Sequence, residues 1–310
     1  MKHTRSLLVV LAALLCVLAL FAPGFFAAGH LQSLALDHAP LFVAAAGMTL
    51  LIGAGQIDVS IGAQTAVCAV VAGLAARAGL PRPVWIGAAL LTGALFGLAN
   101  GLLVSRLRIP ALVATLAMLA ILRGALRQAT GGVWIQDLPA TFQWCGLGQT
   151  AGQFVYLAAA AAICVLIALF QRRSAAGRAL LAVGCDPESA RLLGARPERV
   201  VTGVFVASGV LAAIAGLLDQ TRNPSVAIEA GTGLELAAIA CVVLGGASIR
   251  GGRAGVLGSA LGVLFFAAVS GLVFLHVDPV WERAIQGAIL LLAVARQAGP
   301  RARVVEAGHA

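Results

Sequence analysis

The sequence is short of charge. Of its 310 residues only 11% are Asp, Glu, Lys or Arg, and lysine occurs once, at Lys2. A soluble domain of this length carries roughly a quarter charged residues. The apolar share, 61%, is more than a water-soluble fold can hide. With its one lysine at the start, the chain has no GxxxxGKS/T phosphate loop, so it holds no P-loop for nucleotide hydrolysis. HExxH, GxSxG and a clustered carboxylate pair are missing too, which removes the commoner hydrolase signatures. The six cysteines (16, 68, 145, 164, 185 and 241) are scattered and form no CxxC pair, so neither a zinc site nor a disulfide framework is indicated. Glycine-rich GGASIRGG, at 245–252, lacks a lysine and follows no strand; it reads as a tight turn between two apolar helices.

What is present is a series of long apolar runs. The mean hydropathy is +1.00. Runs near the ~20 residues needed to cross a bilayer recur from end to end, continuous rather than alternating, so the spans are helices and not barrel strands. The fold class expected is an all-α polytopic membrane protein of about ten transmembrane helices. They fall at roughly 7–27, 39–56, 60–76, 84–105, 110–127, 153–170, 200–218, 234–247, 254–275 and 281–295. The opening MKHTRSLLVVLAALLCVLALFAPG has the basic start of a signal peptide. Its apolar run is longer than a signal core of about 7–15 residues, and no clean small-x-small site follows, so it reads as a first membrane anchor.

The net charge of +9 is explained by orientation rather than by nucleic acid. With the N-terminus in the cytoplasm, fifteen of the 21 Lys and Arg fall on the inner side, including Arg106, Arg172, Arg173, Arg250 and Arg253. Six fall outside: Arg77, Arg82, Arg123, Arg127, Arg222 and Arg283. That bias puts both termini in the cytoplasm. Trp134 and Trp144, in the longest outer loop, suit an interface position. Gly93, Gly97 and Gly101 form consecutive GxxxG steps, and Gly251–Gly255 and Gly258–Gly262 form two more, a spacing that lets helix backbones approach closely. No strict internal repeat is present; a loose division near residue 150 would give two five-helix halves.

One stretch stands apart. GCDPESARLLGARPERV, 184–200, lies in the largest cytoplasmic loop, 171–199, and holds six charged side chains. Asp186 suits an N-cap, Pro187 the first helical position, Glu188 the positive helix end, and Gly194 a left-handed stop. Between them Ser189, Ala190, Arg191, Leu192 and Leu193 complete a two-turn helix, too short to hide both leucines. Chemistry alone leaves two readings open: a docking knob for another protein, or a helix in the lipid headgroup layer with its arginines on anionic lipid.

The pattern Glu188-Ser189-Ala190-x-x-x-Gly194 resembles the EAA-type coupling loop of ABC importer permeases. Three more blocks are similar to the ribose-type branch of those permeases, which moves monosaccharides, rhamnose and autoinducer-2: GQIDVSIGA (55–63), IPALVATLAMLAILRGALRQATGG (109–132) and GTGLELAAIACVVLGGASIRGGRAGVLGSALG (231–262). TGGVWIQDLP (130–139) looks most like the autoinducer-2 and rhamnose permeases. Gln56 and Ala63 depart from the smaller or more polar residues often found in the first block, and Ser189 replaces the first alanine of the EAA triplet.

The resemblance runs from about residue 40 to 295. It implies one transmembrane permease domain over 1–310, in a bacterial inner membrane, importing a small sugar-like solute. It also implies three partners: an ABC ATPase subunit docked on the 186–194 helix, a second permease (a copy or a paralogue), and an external solute-binding protein. ATP and Mg would sit on the ATPase, with no cofactor, metal or nucleic acid on this chain. A solute path needs polar groups, because hydroxyls in hydrocarbon are costly. The candidates are Asp58, Ser60, Asn100, Thr115 and Glu235. Each has a structural alternative: Asp58 as a cap of the third helix, Asn100 as an interhelical bond, Glu235 as a helix N-terminal charge. Arg123 reads as snorkelling to the outer interface. The competing function, an ion-coupled secondary carrier, would want an ionisable relay at the membrane midplane, whereas the acidic residues lie near predicted span ends.

Overall fold

A computed structural model describes residues 2–275 and, beyond them, 281, 284, 285, 287, 288 and 291. The described elements are helical, and the one β feature among them is an isolated bridge between Ile135 and Val226. The tenth expected span and the side of the C-terminus fall largely outside the described residues.

Apolar runs set the helices, and glycine, proline and polar caps set their ends. α1 (Lys2–Phe21) stops before Pro23, which opens a short 3-10 turn over Pro23–Phe26. α2 (Ala28–Gly53) starts eleven residues earlier than its apolar run suggests, and Pro40 lies inside it. α3 (Ile61–Arg77), α4 (Arg82–Ser105) and α5 (Ala111–Thr130) follow. α4 opens with Pro81 as N-cap and Pro83 in its first turn, where a missing N–H costs nothing. α6 (Gln149–Arg173) is followed by α7 (Ala175–Cys185), capped by the Ser174 hydroxyl on the Gly177 N–H at 2.8 Å. Then come α8 (Pro187–Leu192), α9 (Pro197–Gln220), α10 (Leu234–Leu244) and α11 (Val256–Ser270).

Five of these, α2, α4, α5, α6 and α9, are long and apolar enough to cross a membrane. At three more of the expected spans helices also form, but α3, α10 and α11 are 17, 11 and 15 residues long, shorter than a full crossing. Irregular backbone takes up the difference. Segments 54–60, 221–233 and 245–255 are non-helical and only partly buried: Asp58, Ser60, Val226, Ile228, Ala230 and Ala247 are enclosed, whereas Gly55, Asn223, Glu229, Arg250 and Arg253 are exposed.

The bundle is built around α2 and α9, which pack on each other and, between them, on most of the remaining helices. In α2, 78% of the most apolar window is buried, against 11% in α6, so α2 is a central helix and α6 a peripheral one. The tightest seam joins α4 to α9. A Cβ on Gly93 would enter the carbonyl of Gly209, one on Gly97 the carbonyl of Phe205, and one on Gly101 would lie 2.9 Å from the Thr202 Cα. Gly258 and Gly262 do the same for α11 against the carbonyls of Gly245 and Cys241. Gly251 and Gly255, read from spacing as another helical step, lie instead in the turn between α10 and α11.

Loop 171–199 is not a free connection. α7 buries Leu180 and Val183 in the main core, and Gly184 meets the Gly53 carbonyl so closely that a Cβ there would collide with it. The Gly252 N–H donates to that same carbonyl at 3.1 Å, tying the α10–α11 turn to the end of α2.

Candidate functional site

The charged stretch folds into a short, firmly capped projection. Asp186 is extended (φ −157°, ψ 107°) and its carboxylate accepts the Glu188 N–H at 3.0 Å and the Ser189 hydroxyl. The Ser189 hydroxyl, and then the Glu188 N–H, hold the Asp186 carboxyl below the usual carboxylate range. At the other end Gly194 takes φ +88°. Its N–H reaches the Arg191 carbonyl at 2.9 Å and the Ala195 N–H reaches that of Ala190 at 3.0 Å, the paired bonds of a Schellman stop. Arg191 bridges Glu188 at 3.1 Å and Glu198 at 2.5 Å, which links α8 to the first turn of α9. Ala190 is buried beneath, while Leu192 and Leu193 stand 89% and 86% exposed. Two leucines this bare on a rigid mount form an apolar contact point.

Four of the five path candidates come together. Asp58, in the break between α2 and α3, is fully buried. One of its carboxylate oxygens accepts the Ser60 N–H (2.8 Å) and hydroxyl (2.6 Å); the other accepts the side-chain amide of Gln64 (2.9 Å) and, more distantly, that of Asn100 (3.4 Å). Asn100 also donates to the Ser60 hydroxyl at 2.9 Å. Thr115 of α5 accepts the Val59 N–H at 3.2 Å and donates to the Ala111 carbonyl at 2.8 Å. The cluster therefore joins the 54–60 segment to α3, α4 and α5. Glu235 stands apart: it accepts the Gly233 N–H at 3.2 Å, and its carboxylate lies against Gly62.

A cavity lies elsewhere among the described residues, and none of these five lines it. That cavity, about 420 Å³, lies between α2, α3, α9, α10 and α11 and is bounded by Asp37, His38, Thr65, Asp219, Thr232 and Phe266 among others. Asp37 is paired with Arg222 at 2.5 Å. Asp219 is 22 residues into α9 from Pro197, so by helical rise it lies roughly 33 Å from the α8 end of that helix. The cavity and the leucine knob thus sit at opposite ends of one central helix. Sequence reasoning missed Asp37 and Asp219, although a carboxylate inside an apolar run is itself a signal. With the second span starting at 39, Asp37 fell outside it; the extension of α2 to Ala28 brings it inside the helix. Arg123, expected to snorkel to the outer interface, has protein partners in the segment after α9. It is partly buried and turned inward, donating to the carbonyls of Ile228 and Ala230, both at 3.0 Å.

A helical bundle with a partly open cavity, largely apolar but carrying Asp37 and Asp219 on its wall, and a capped apolar knob at the far end of a shared helix has the parts of a solute permease. The chain belongs to such a family: residues 31–294 match the family described as "Branched-chain amino acid transport system / permease component". Among curated proteins it is 38% identical over 292 residues to the "Autoinducer 2 import system permease protein LsrC" of Escherichia coli O157:H7, covering 91% of this chain and 84% of the relative. The proteins of the same name from Shigella flexneri and Salmonella paratyphi B are also 38% identical over 292 residues. No solved structure matches the chain. It is an integral membrane protein and a transport component.

Proposed function

We propose that this chain is the membrane subunit of an ATP-driven importer that brings autoinducer 2, or a closely similar small polyhydroxylated solute, into the cytoplasm. The observation that carries the reading is α8, which holds Leu192 and Leu193 out from a helix fixed at both ends. Such a knob suits the cleft of a separate ATPase, where two leucines buried on docking contribute about 1.5–3 kcal/mol each. ATP and Mg would be held by that ATPase, and an external solute-binding protein would deliver the solute. A second permease, this chain again or a paralogue, would complete the pathway. The whole chain, 1–310, works in this reading as one domain of about ten spans in a bacterial inner membrane, with both termini in the cytoplasm.

The relatives' name and the family's description point to different cargo. The cavity favours the former. Asp219, Thr65 and Thr232 offer acceptors to hydroxyl groups, and Arg222, which is not among the described lining residues, is engaged by Asp37 rather than free to hold an amino acid's carboxylate. In this reading Asp37 and Asp219 face the solute, while Glu235 at the start of α10 and the Asp58–Ser60–Asn100–Thr115 cluster lie off the cavity and brace the helices along the route. The test is reconstitution with the ATPase and binding protein of its own host, then ATP-dependent uptake of labelled autoinducer 2 against labelled leucine. Uptake of the first alone is expected. Uptake of leucine alone overturns the cargo, and uptake that persists without ATP but collapses with a protonophore overturns the importer in favour of an ion-coupled carrier.

A further inference from the structure

Arg123 lies about two turns before the end of α5, yet its guanidinium is spent on another part of the chain. Its two terminal nitrogens reach the carbonyls of Ile228 and Ala230, two residues apart on the irregular segment 221–233. That segment leads from α9 to α10, and Gly231, Thr232 and Gly233 at its end form one wall of the cavity. It has no helix or sheet of its own to satisfy its backbone, so its carbonyls need outside donors, all the more at membrane depth. The segment has other ties: the buried Ile135–Val226 bridge supplies one pair of bonds at 3.0 and 2.9 Å, the Ala227 N–H donates to the Gln220 side chain at 2.9 Å, and Trp134 donates to the exposed Glu229 at 3.0 Å, but none of these reaches the carbonyls of Ile228 and Ala230. Beneath the segment, Gly231 and Gly62 meet backbone to backbone, leaving no slack on that side. A guanidinium fits the task because it is a planar fork with several fixed donors; a lysine ammonium is a point charge and spans two carbonyls poorly.

We infer that Arg123 is a positioning residue for transport: it clamps segment 226–233 as the wall of the cavity and thereby sets the affinity for solute. The inference rests on the reading of that cavity as the solute site. It is tested in the reconstituted complex with Arg123→Gln and Arg123→Lys, each combined with Ala230→Cys. Ala230 is buried, and its thiol reports release of the segment by reacting with a membrane-impermeant maleimide, counted above the parent chain that keeps its own cysteines. Loss of both charge-assisted bonds is expected to speed labelling by about tenfold or more and to raise the KM for uptake by a similar factor, with kcat little changed. Arg123→Lys should fall between wild type and Arg123→Gln in both measurements. Labelling at the wild-type rate in Arg123→Gln overturns the clamp, whatever the cavity binds. Faster labelling with an unchanged KM keeps the clamp and removes the cavity as the solute site. If Arg123→Gln fails to assemble with the ATPase, the Arg123→Lys chain decides by the same two readings.

Discussion

Replacing Gly93 by alanine should destabilise the protein, whereas the same change at Gly124 should stabilise it. Both residues are inside helices, so in each case alanine recovers about 1 kcal/mol of helix propensity. Gly124 has nothing within 4 Å of a built Cβ, and that gain stands alone. At Gly93 the added methyl enters the Gly209 carbonyl and lies 3.0 Å from the Ala213 Cβ, where ordinary contacts begin at 3.4 Å. The atoms in the way are backbone, which has no rotamer to change, so α4 and α9 must part by several tenths of an ångström along their main seam. Overpacking of this kind costs about 1–3 kcal/mol, and rigid backbone puts it at the upper end. The net is about 2 kcal/mol lost at Gly93. In detergent that corresponds to a fall of about 4–8 °C in apparent Tm, beside a rise of a few degrees for Gly124→Ala. A melting series read by size exclusion after heating gives both numbers. A Gly93→Ala protein that melts at or above the Gly124→Ala protein would refute the close-contact account of the α4–α9 seam.

Gly194→Asp places a side chain at φ +88° and should undo the stop of α8; membrane insertion is expected to be normal while ATP-driven uptake and co-purification of the ATPase are lost, and normal uptake removes the docking role. The Asp186 cap has a defined pH window. Its folded value lies below the ordinary aspartate value of about 3.9, so the folded form binds fewer protons there and its stabilisation is full at neutral pH, lost only as pH falls through the lowered value. ATPase association measured in detergent should therefore be level from about pH 8 to 5 and decline only below about pH 4. A decline centred near pH 6 would place control in another group. Asp58→Asn turns one accepting oxygen into a donor facing the donors of Gln64 and Asn100, or facing those of Ser60, and should cost about 1–3 kcal/mol, seen as a lower melting midpoint with the ATPase still bound.

Much of the helical arrangement was legible because apolar length is a one-dimensional property. The bounds of α4 and α9 agree with the sequence reading within three residues. The caps of α8 were legible for the same reason: Asp186, Pro187 and Gly194 act on their own neighbours. What sequence does not carry is depth. Leu180 and Val183 look like ordinary loop residues until α7 packs them into the core, and the run 28–38 looks too polar to begin a buried helix until α2 is extended through it. The path candidates were chosen as polar residues in apolar surroundings, a rule that could not say that Asp58, Ser60 and Asn100 would bond with one another, or that Thr115 would bond the Val59 backbone beside them. Arg123 shows the limit in another form. Its partners, the carbonyls of Ile228 and Ala230, are backbone atoms more than a hundred positions away and leave no trace in residue type.

The central place of α2 also bears on how the protein is made. Its core-facing side is covered by α9, which ends at Gln220, some 167 positions after Gly53. At about 5–20 residues per second a ribosome needs on the order of ten to thirty seconds to synthesise that cover. For that interval α2 has left the ribosome with its small-residue face unmatched, in contact with lipid or with whatever insertion machinery shelters it, and Thr49 waits longer still for Ser259 of α11. The most interior helix of the finished permease is thus among the first to be made and the last to be enclosed, which makes the nascent chain, rather than the mature one, its most vulnerable form.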